Sequence, residues 1–289
     1  MERKFQLSAD STCDLSPELI RAYGVIITPL YVNLGDKTYR DGVDISPEDI
    51  YAYVDKTGKL PTTAACTTED YQKIFRQARE QGLEALHINI SHHMSCSYQN
   101  AMIAREGFIA REGIPGVEVV DSLNLSSATG HAVLEAAMLG EQGMGAKETA
   151  AYLNTLTPRV RASFIIERLD YLYKGGRCTS LQMLGANLLS LKPSILVKDG
   201  QMGVGEKFRG TLSKVLDKYV EQQLTGRNDL VLDRIFITHT GCTPETVQQV
   251  AEKIRSLQPF QHITETRAGS VITSHCGQNT LGILYKVKA

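Results

Sequence analysis

Between positions 91 and 97 the stretch ISHHMSCSYQNA gathers Ser91, His92, His93, Ser95, Cys96 and Ser97, directly after ALHINI, an apolar run that predicts a strand. Three chemistries use such residues. A metal site needs three or four ligands in defined geometry, and adjacent histidines on an extended segment point to opposite sides, so at most one of His92 and His93 serves a given ion. The remote candidates His275, Cys276, His239 and Asp10 have no ligand spacing, so no metal is expected. A serine nucleophile calls for a G-x-S-x-G elbow, and this loop has no glycine; Ser95 or Cys96 with a nearby histidine, as an acyl hydrolase or transferase, stands as the alternative. An anion cradle asks less. Ser95, Cys96 and Ser97 lie where strand gives way to helix, so their N–H groups lack intrahelical partners and the helix dipole favours a carboxylate or phosphate. The simpler structural role for Ser95 is that of an N-cap.

A second stretch follows the same logic. In PTTAACTTEDY, Thr62 and Thr63 precede a capped helix, and two such loops after consecutive strands would face the same side of a parallel sheet. In LYKGGRCTS, Gly175 and Gly176 stop a helix and leave Arg177 on a turn, as a solvated side chain or a partner contact. SHCGQNTLGI puts His275 beside a glycine-bearing loop before an apolar strand, where a lone histidine is ordinarily structural. GVGEKF lacks the third glycine of a dinucleotide fingerprint, and no phosphate-binding loop is present.

The elements that must position these residues alternate. Ser-Pro-Glu starts at Ser16 and Ser46 and a Thr67 or Thr68 cap predict helices, and the apolar runs FQLSAD, VIITPLYVN, ALHINI and VEVVDS between them predict strands. Strand, crossover helix, strand is the pattern of a parallel sheet flanked by helices, which binds ligands at the carboxyl ends of its strands. The second half predicts a hairpin turning at Asp199-Gly200, the apolar helix LQMLGANLLSL, two amphipathic helices and a mixed sheet. A boundary near residues 145 to 160 divides the chain into α/β units 1–155 and 156–289.

With 289 residues, 42% hydrophobic and 22% charged, and a net charge of −1, the chain has no electrostatic reason to bind nucleic acid. No apolar run approaches the roughly 20 residues of a membrane span, and the N-terminus lacks a signal-peptide core, which predicts a cytoplasmic protein without membrane insertion. Six cysteines without a C-x-x-C pair predict reduced thiols.

Nine segments in order over almost the whole chain resemble the DegV family of bacterial fatty-acid-binding proteins: DSTCDL, TPLYV, YRDGVDI, PTTAACTTEDY, ISHHMSCSYQNA, VVDS, LDYLYKGGR, LKP and SHCGQNTLGI. The resemblance implies two α/β domains with an acyl chain buried between and within them. It implies a fatty-acid carboxylate held by Thr62 or Thr63 and by Ser95, with His275 as a third polar contact, protonated if it is to donate to the carboxylate. It also implies a carrier and not a catalyst, with no cofactor beyond the bound fatty acid, presenting a long-chain acyl group such as palmitate to a separate fatty-acid kinase for acyl-phosphate formation. The chain departs from the family pattern at Ala64 and Cys66 in the threonine loop, at Cys96, where the family has glycine, and in the HCGQNT ending.

Overall fold

The computed structural model describes residues 3–112, 116–178, 180 and 191–289; the predicted helix over 181–191 falls almost wholly outside them. The chain runs β1 (Phe5–Asp10), α1 (Pro17–Ala22), β2 (Ile26–Thr28), β3 (Tyr31–Leu34), β4 (Lys37–Arg40), α2 (Pro47–Thr57), β5 (Thr62–Ala64), α3 (Thr68–Glu80), β6 (Glu84–Asn89), α4 (Ser97–Glu112), β7 (Val117–Asp121), α5 (Ser126–Glu141) and α6 (Ala146–Leu156). It continues through β8 (Val160–Ile165), α7 (Leu169–Gly175), β9 (Lys192–Lys198), β10 (Gln201–Phe208), α8 (Leu212–Leu224), β11 (Leu230–His239), α9 (Pro244–Leu257), β12 (His262–Arg267), α10 (Ser270–Cys276) and β13 (Leu281–Val287).

Three sheets result among the described residues. The first is parallel throughout, in the order β2-β1-β6-β7. The second is mixed, β10-β9-β8-β13-β11-β12, with β11 and β12 parallel and the other pairs antiparallel. The α/β architecture with one parallel and one mixed sheet is as the sequence predicts, and the hairpin pairs Lys198 with Gln201 across Asp199-Gly200. The small third sheet, β4-β3-β5, was not anticipated. VIITPLYVN reads as one strand, but Pro29 cannot donate to a ladder, and the run breaks there into β2 and β3 of different sheets. Thr62 and Thr63 accordingly lie on β5, paired antiparallel with β3, and not on a loop after a strand of the parallel sheet.

Start signals act as their chemistry requires. Ser16 accepts from Leu19 N, and Ser46 with Asp49 and Thr67 with Asp70 form reciprocal capping boxes. The stretch GMGAKETAAYLNTLTPRV, where the boundary between units is expected, contains α6. Its Ala146, Thr149, Ala150 and Leu153 are buried at helical spacing, and Glu84 Oε2 accepts from Ala146 N at 2.7 Å. Helix α5 is buried at twelve of its sixteen residues because it touches β1, β6, β8, β11 and β13. One hydrophobic core therefore joins Phe5, Leu86 and Val120 of the parallel sheet to Phe164, Ile195 and Leu284 of the mixed sheet.

At the carboxyl end of β1, Asp10 is fully buried and holds the parallel sheet to the neighbouring loops. Its oxygens accept from Tyr71 Oη–H (3.0 Å), Asn89 Nδ2 (3.0 and 3.2 Å) and Ile90 N (3.0 Å). His87 Nε2 stands 3.3 Å away, while its Nδ1 meets Ser8 Oγ at 2.8 Å, an arrangement that fits a proton on Nε2. Replacing Asp10 by Ala takes the acceptor from four buried donors at once, Tyr71 Oη–H, Asn89 Nδ2, Ile90 N and His87 Nε2, and leaving such groups unsatisfied costs about 3–5 kcal/mol in total. Urea unfolding of Asp10→Ala is expected to show a midpoint lowered accordingly at unchanged m-value; an unchanged midpoint contradicts the role assigned to Asp10.

Candidate ligand-binding cleft

The Asp10 cluster fixes both stretches singled out in the sequence. Ile90 N bonds Asp10 directly, so the chain leaving β6 starts from a fixed point, and Tyr71 on α3 anchors the helix that follows Thr62 and Thr63. Residues 92–94 then turn instead of extending. This overturns the expected divergence of the two histidines: the rings of His92 and His93 stack with centroids 3.8 Å apart. His92 Nδ1 bonds Asp121 Oδ2, and His93 Nε2 lies 3.5 Å from Gln201 Nε2. Neither ring lines the cleft described below. Among the described residues no group of three or more His, Cys, Asp or Glu is placed to hold a metal ion.

Ser95 sits one residue before the cap of α4. Its Oγ accepts from Ser97 N at 3.2 Å and lies 2.9 Å from the buried Ser97 Oγ, while Asn100 N bonds Cys96 O, which makes Cys96 the cap residue. Ser95 thus closes the turn and still faces open space. No histidine among the described residues hydrogen-bonds Ser95 or Cys96, so the pairing that activates a nucleophile is not assembled.

A cleft of about 320 Å³ brings together Thr63, Ser95, His275 and Arg177 with Leu30, Ile90, Met94, Cys96, Leu125, Ile272 and Cys276 among its walls. Thr62 does not reach it; exposed on the other side of β5, its Oγ1 accepts from Asn33 Nδ2. Past Leu125, Ile272 and Cys276, which line both spaces, lies a narrow inner chamber with a cavity volume of about 30 Å³. Ser126, Ser163, Thr238, His239, Thr240 and Thr280 line it, yet each polar side chain has a partner within the protein. Ser126 Oγ donates to Asp14, Ser163 pairs with Tyr219, Thr238 with Ser127 and Thr266, His239 with Glu265, Thr240 donates to Gly277 O, and Thr280 to Cys276 O. With each of these polar side chains already bonded within the protein, the chamber makes little demand for water.

His275 stands beside the glycine-bearing loop, on the last turn of α10. Its Nε2 meets Thr63 Oγ1 at 2.8 Å, and its buried Nδ1 has no partner and is pressed against Gly175, where an added Cβ would overlap it. Burial, with Arg177 nearby adding to it, pushes the ring down to about 4, so a protonated His275 is not the form present near neutrality. A proton on Nδ1 would be an unsatisfied buried donor, so the neutral ring carries its proton on Nε2 and donates to Thr63, whose own O–H is left to donate into the cleft. The sequence read LYKGGR as a helix stop. Its glycines do more: Gly175 makes room for His275, and Gly176, at φ +69°, ends α7 so that Arg177 Nε reaches Met94 O at 3.2 Å, beside Ser95. A second cleft of about 400 Å³, also bordered by Thr63, His275 and Arg177, carries Lys59 and Lys174.

A family model described as "Uncharacterised protein, DegV family" matches residues 4–288. A DegV domain-containing protein of Clostridium acetobutylicum is 30% identical over 98% of both chains, and one of Caldanaerobacter subterraneus is 28% identical over 99% of both. Among solved structures, a fatty-acid-binding DegV family protein from Thermus thermophilus superposes with a TM-score of 0.86 at 30% identity, over 98% of this chain and 100% of that one. A stearic-acid-binding protein from Eubacterium ventriosum superposes with a TM-score of 0.84 at 26% identity, over 98% of both. No helix among the described residues is long and apolar enough to cross a membrane.

The folded ring prefers to be neutral, so this histidine contributes stability that is complete above its ordinary value of 6.5 and is lost as pH falls toward about 4. In ¹⁵N-detected titrations the His275 ring is expected to keep one neutral tautomer, protonated on Nε2, down to about pH 4. Gly175→Ala is expected to break the contact with Thr63 and to cost about 1–3 kcal/mol of stability. A His275 midpoint near 6.5 in the parent protein contradicts this assignment.

Proposed function

The chain belongs to the DegV family, and on that premise and the geometry of the cleft we propose that it binds a long-chain fatty acid, carboxylate outward at Thr63 and Ser95 and hydrocarbon tail inward through the neck into the chamber. The observation that carries this is the continuity of the two spaces. Hydroxyl and guanidinium groups converge at one end, and a pocket with no free polar group lies at the other. The head cleft, about 320 Å³, falls in the range of small-molecule sites, and the chamber behind it, about 30 Å³, must widen to admit a tail.

Each methylene moved from water into such a pocket contributes about 0.8 kcal/mol, so a 16-carbon tail offers on the order of 10 kcal/mol before ordering costs. The carboxylate must meet donors, because burying it unpaired costs several kcal/mol. Thr63 donates once His275 occupies its acceptor site, and Ser95 donates once Ser97 does the same. The first-turn N–H groups of α4 and the Arg177 guanidinium complete the set; His275 acts through Thr63. Thr62, whose Oγ1 accepts from Asn33 Nδ2, has no part in the proposed head site.

The same arrangement supports a carrier that hands its acyl group to a separate kinase in the cytoplasm, making acyl-phosphate without chemistry of its own. The carboxylate lies near the rim, and Lys59, Lys174 and Arg177 border the outer cleft beside it, a cationic surface suited to an acidic partner or a phosphate donor. The division near residue 155 belongs to this proposal, with the tail enclosed between the halves and α10 of the second half closing the head cleft of the first.

Extraction and mass spectrometry of the purified protein are expected to recover long-chain fatty acid, and the stripped protein is expected to rebind it. Ser95→Ala and Thr63→Ala each weaken binding by about 1–3 kcal/mol through a lost hydrogen bond to a charged group. No fatty acid recovered and none rebound refutes the proposal; unchanged affinity in either variant removes that residue from the site. For the kinase arm, Arg177→Glu is expected to slow phosphorylation of the bound acyl group by a fatty-acid kinase about tenfold beyond its effect on acyl affinity. An equal rate at saturating acyl load refutes Arg177 as the partner contact.

A further inference from the structure

Two motifs contain acids that the cleft does not use: Asp14 in DSTCDL and Asp41 in YRDGVDI. Both are buried, 5% and 2% exposed, and both converge on the amino end of α10, the helix that carries Ile272, His275 and Cys276 into the cleft. Asp14 accepts from Gly269 N at 2.8 Å and from Ser126 Oγ–H at 2.6 Å. Asp41 accepts from Ser270 N at 2.7 Å and from Ser11 Oγ–H at 2.8 Å. A Cβ on Gly269 would lie within 3.4 Å of oxygens from both carboxyls, so the two acids flank one backbone position. Among the described residues no cation pairs with either. The helix end supplies at most about half a unit of positive charge, which cannot offset two buried negative charges.

We propose that Asp14 and Asp41 are positioning residues for the head cleft: with a proton on the pair they hold α10 in place, and loss of that proton loosens the helix and with it the Thr63–His275 contact and the Ile272–Cys276 wall. Burial, reinforced by Asp41, pushes Asp14 up to about 8, against the hydrogen bonds from Ser126 and Gly269. Burial pushes Asp41 up as well. The folded state therefore favours a protonated Asp14, whose Oδ2–H donates to Ser126 Oγ, the hydroxyl then accepting across the same contact. That stability is complete below the ordinary carboxylate value and is lost as pH rises through about 8. The other titratable groups facing the pair are Cys13 on the turn after β1 and Cys276 on α10, with Asp10 beyond Cys13. Burial pushes both thiols up to about 12, so neither changes charge where Asp14 does.

The inference rests on the acyl-binding proposal, and its test separates the two. Affinity for a fluorescent long-chain carboxylate, ionised throughout, is measured between about pH 6 and pH 9.5 in the parent protein, in Asp14→Asn, which is neutral at every pH, and in Thr63→Ala. The parent is expected to lose about fivefold or more in affinity across pH 8, Asp14→Asn to keep its affinity with a flat profile, and Thr63→Ala to bind weakly but with the parent's profile. Parallel decline in the parent and Asp14→Asn overturns the assignment. If the parent binds no carboxylate at any pH, or Asp14→Asn does not fold, amide exchange of α10 in the parent decides. Protection of 270–276, corrected for intrinsic rates, is expected to fall above about pH 8, and constant protection overturns the assignment.

Discussion

A carboxylate buried at the end of the first strand is the constraint on which the rest of the site depends. Asp10 is sealed from water and is satisfied only because β6 delivers Asn89 and Ile90, and α3 delivers Tyr71, to the same point. The cost of burying such a group without partners exceeds that of almost any other local error. Satisfying it fixes where the chain leaves β6 and how α3 packs, and so places Ser95 opposite Thr63. The capping turn at Ser95 and the short strand at Thr63 are each ordinary; their convergence comes from the cluster beneath them.

A second constraint governs the space behind the head cleft. The inner chamber is lined by several hydroxyls, which would hydrate a cavity if they were free. Each is spent on a neighbour within the protein: Thr238 on Ser127 and Thr266, Ser163 on Tyr219, Ser126 on Asp14. Polar residue types thus make a wall without polar demand, and the bond from Ser126 also reaches the acid that secures α10. Chamber, neck and head cleft are linked through that one helix, whose far end carries the histidine that orients Thr63.

Much of this was legible in the sequence. Caps at Ser16, Ser46 and Thr67 depend on residues within four positions, and the hairpin at Asp199-Gly200 on two, so local chemistry suffices to read them. The position of Ser95, between strand β6 and helix α4, was also readable from local pattern. What escaped depends on distant partners. Helix α10 is only seven residues long and is stabilised by acids 255 and 229 positions away, which no local pattern announces. The glycine that makes room for His275 lies on α7, so LYKGGR read as a stop and nothing more. Thr62 and Thr63 could not be separated until β5 was seen to pair with β3, because strand alternation sends one of them into the cleft and the other away from it. Cys96, where the family resemblance leads one to expect glycine, proves to be the exposed cap residue of α4 at the edge of the cleft.

The central claim is that one ligand runs from Thr63 and Ser95 to the inner chamber, and the most direct measurement is a crystal structure with a long-chain fatty acid carrying bromine on its terminal carbon. The account predicts an anomalous peak in the chamber beside Ala162 and Ala268, both of which line it, and a carboxylate within hydrogen-bonding distance of Thr63 Oγ1 and Ser95 Oγ. A bromine peak outside the chamber, or a carboxylate that touches neither hydroxyl, would contradict it.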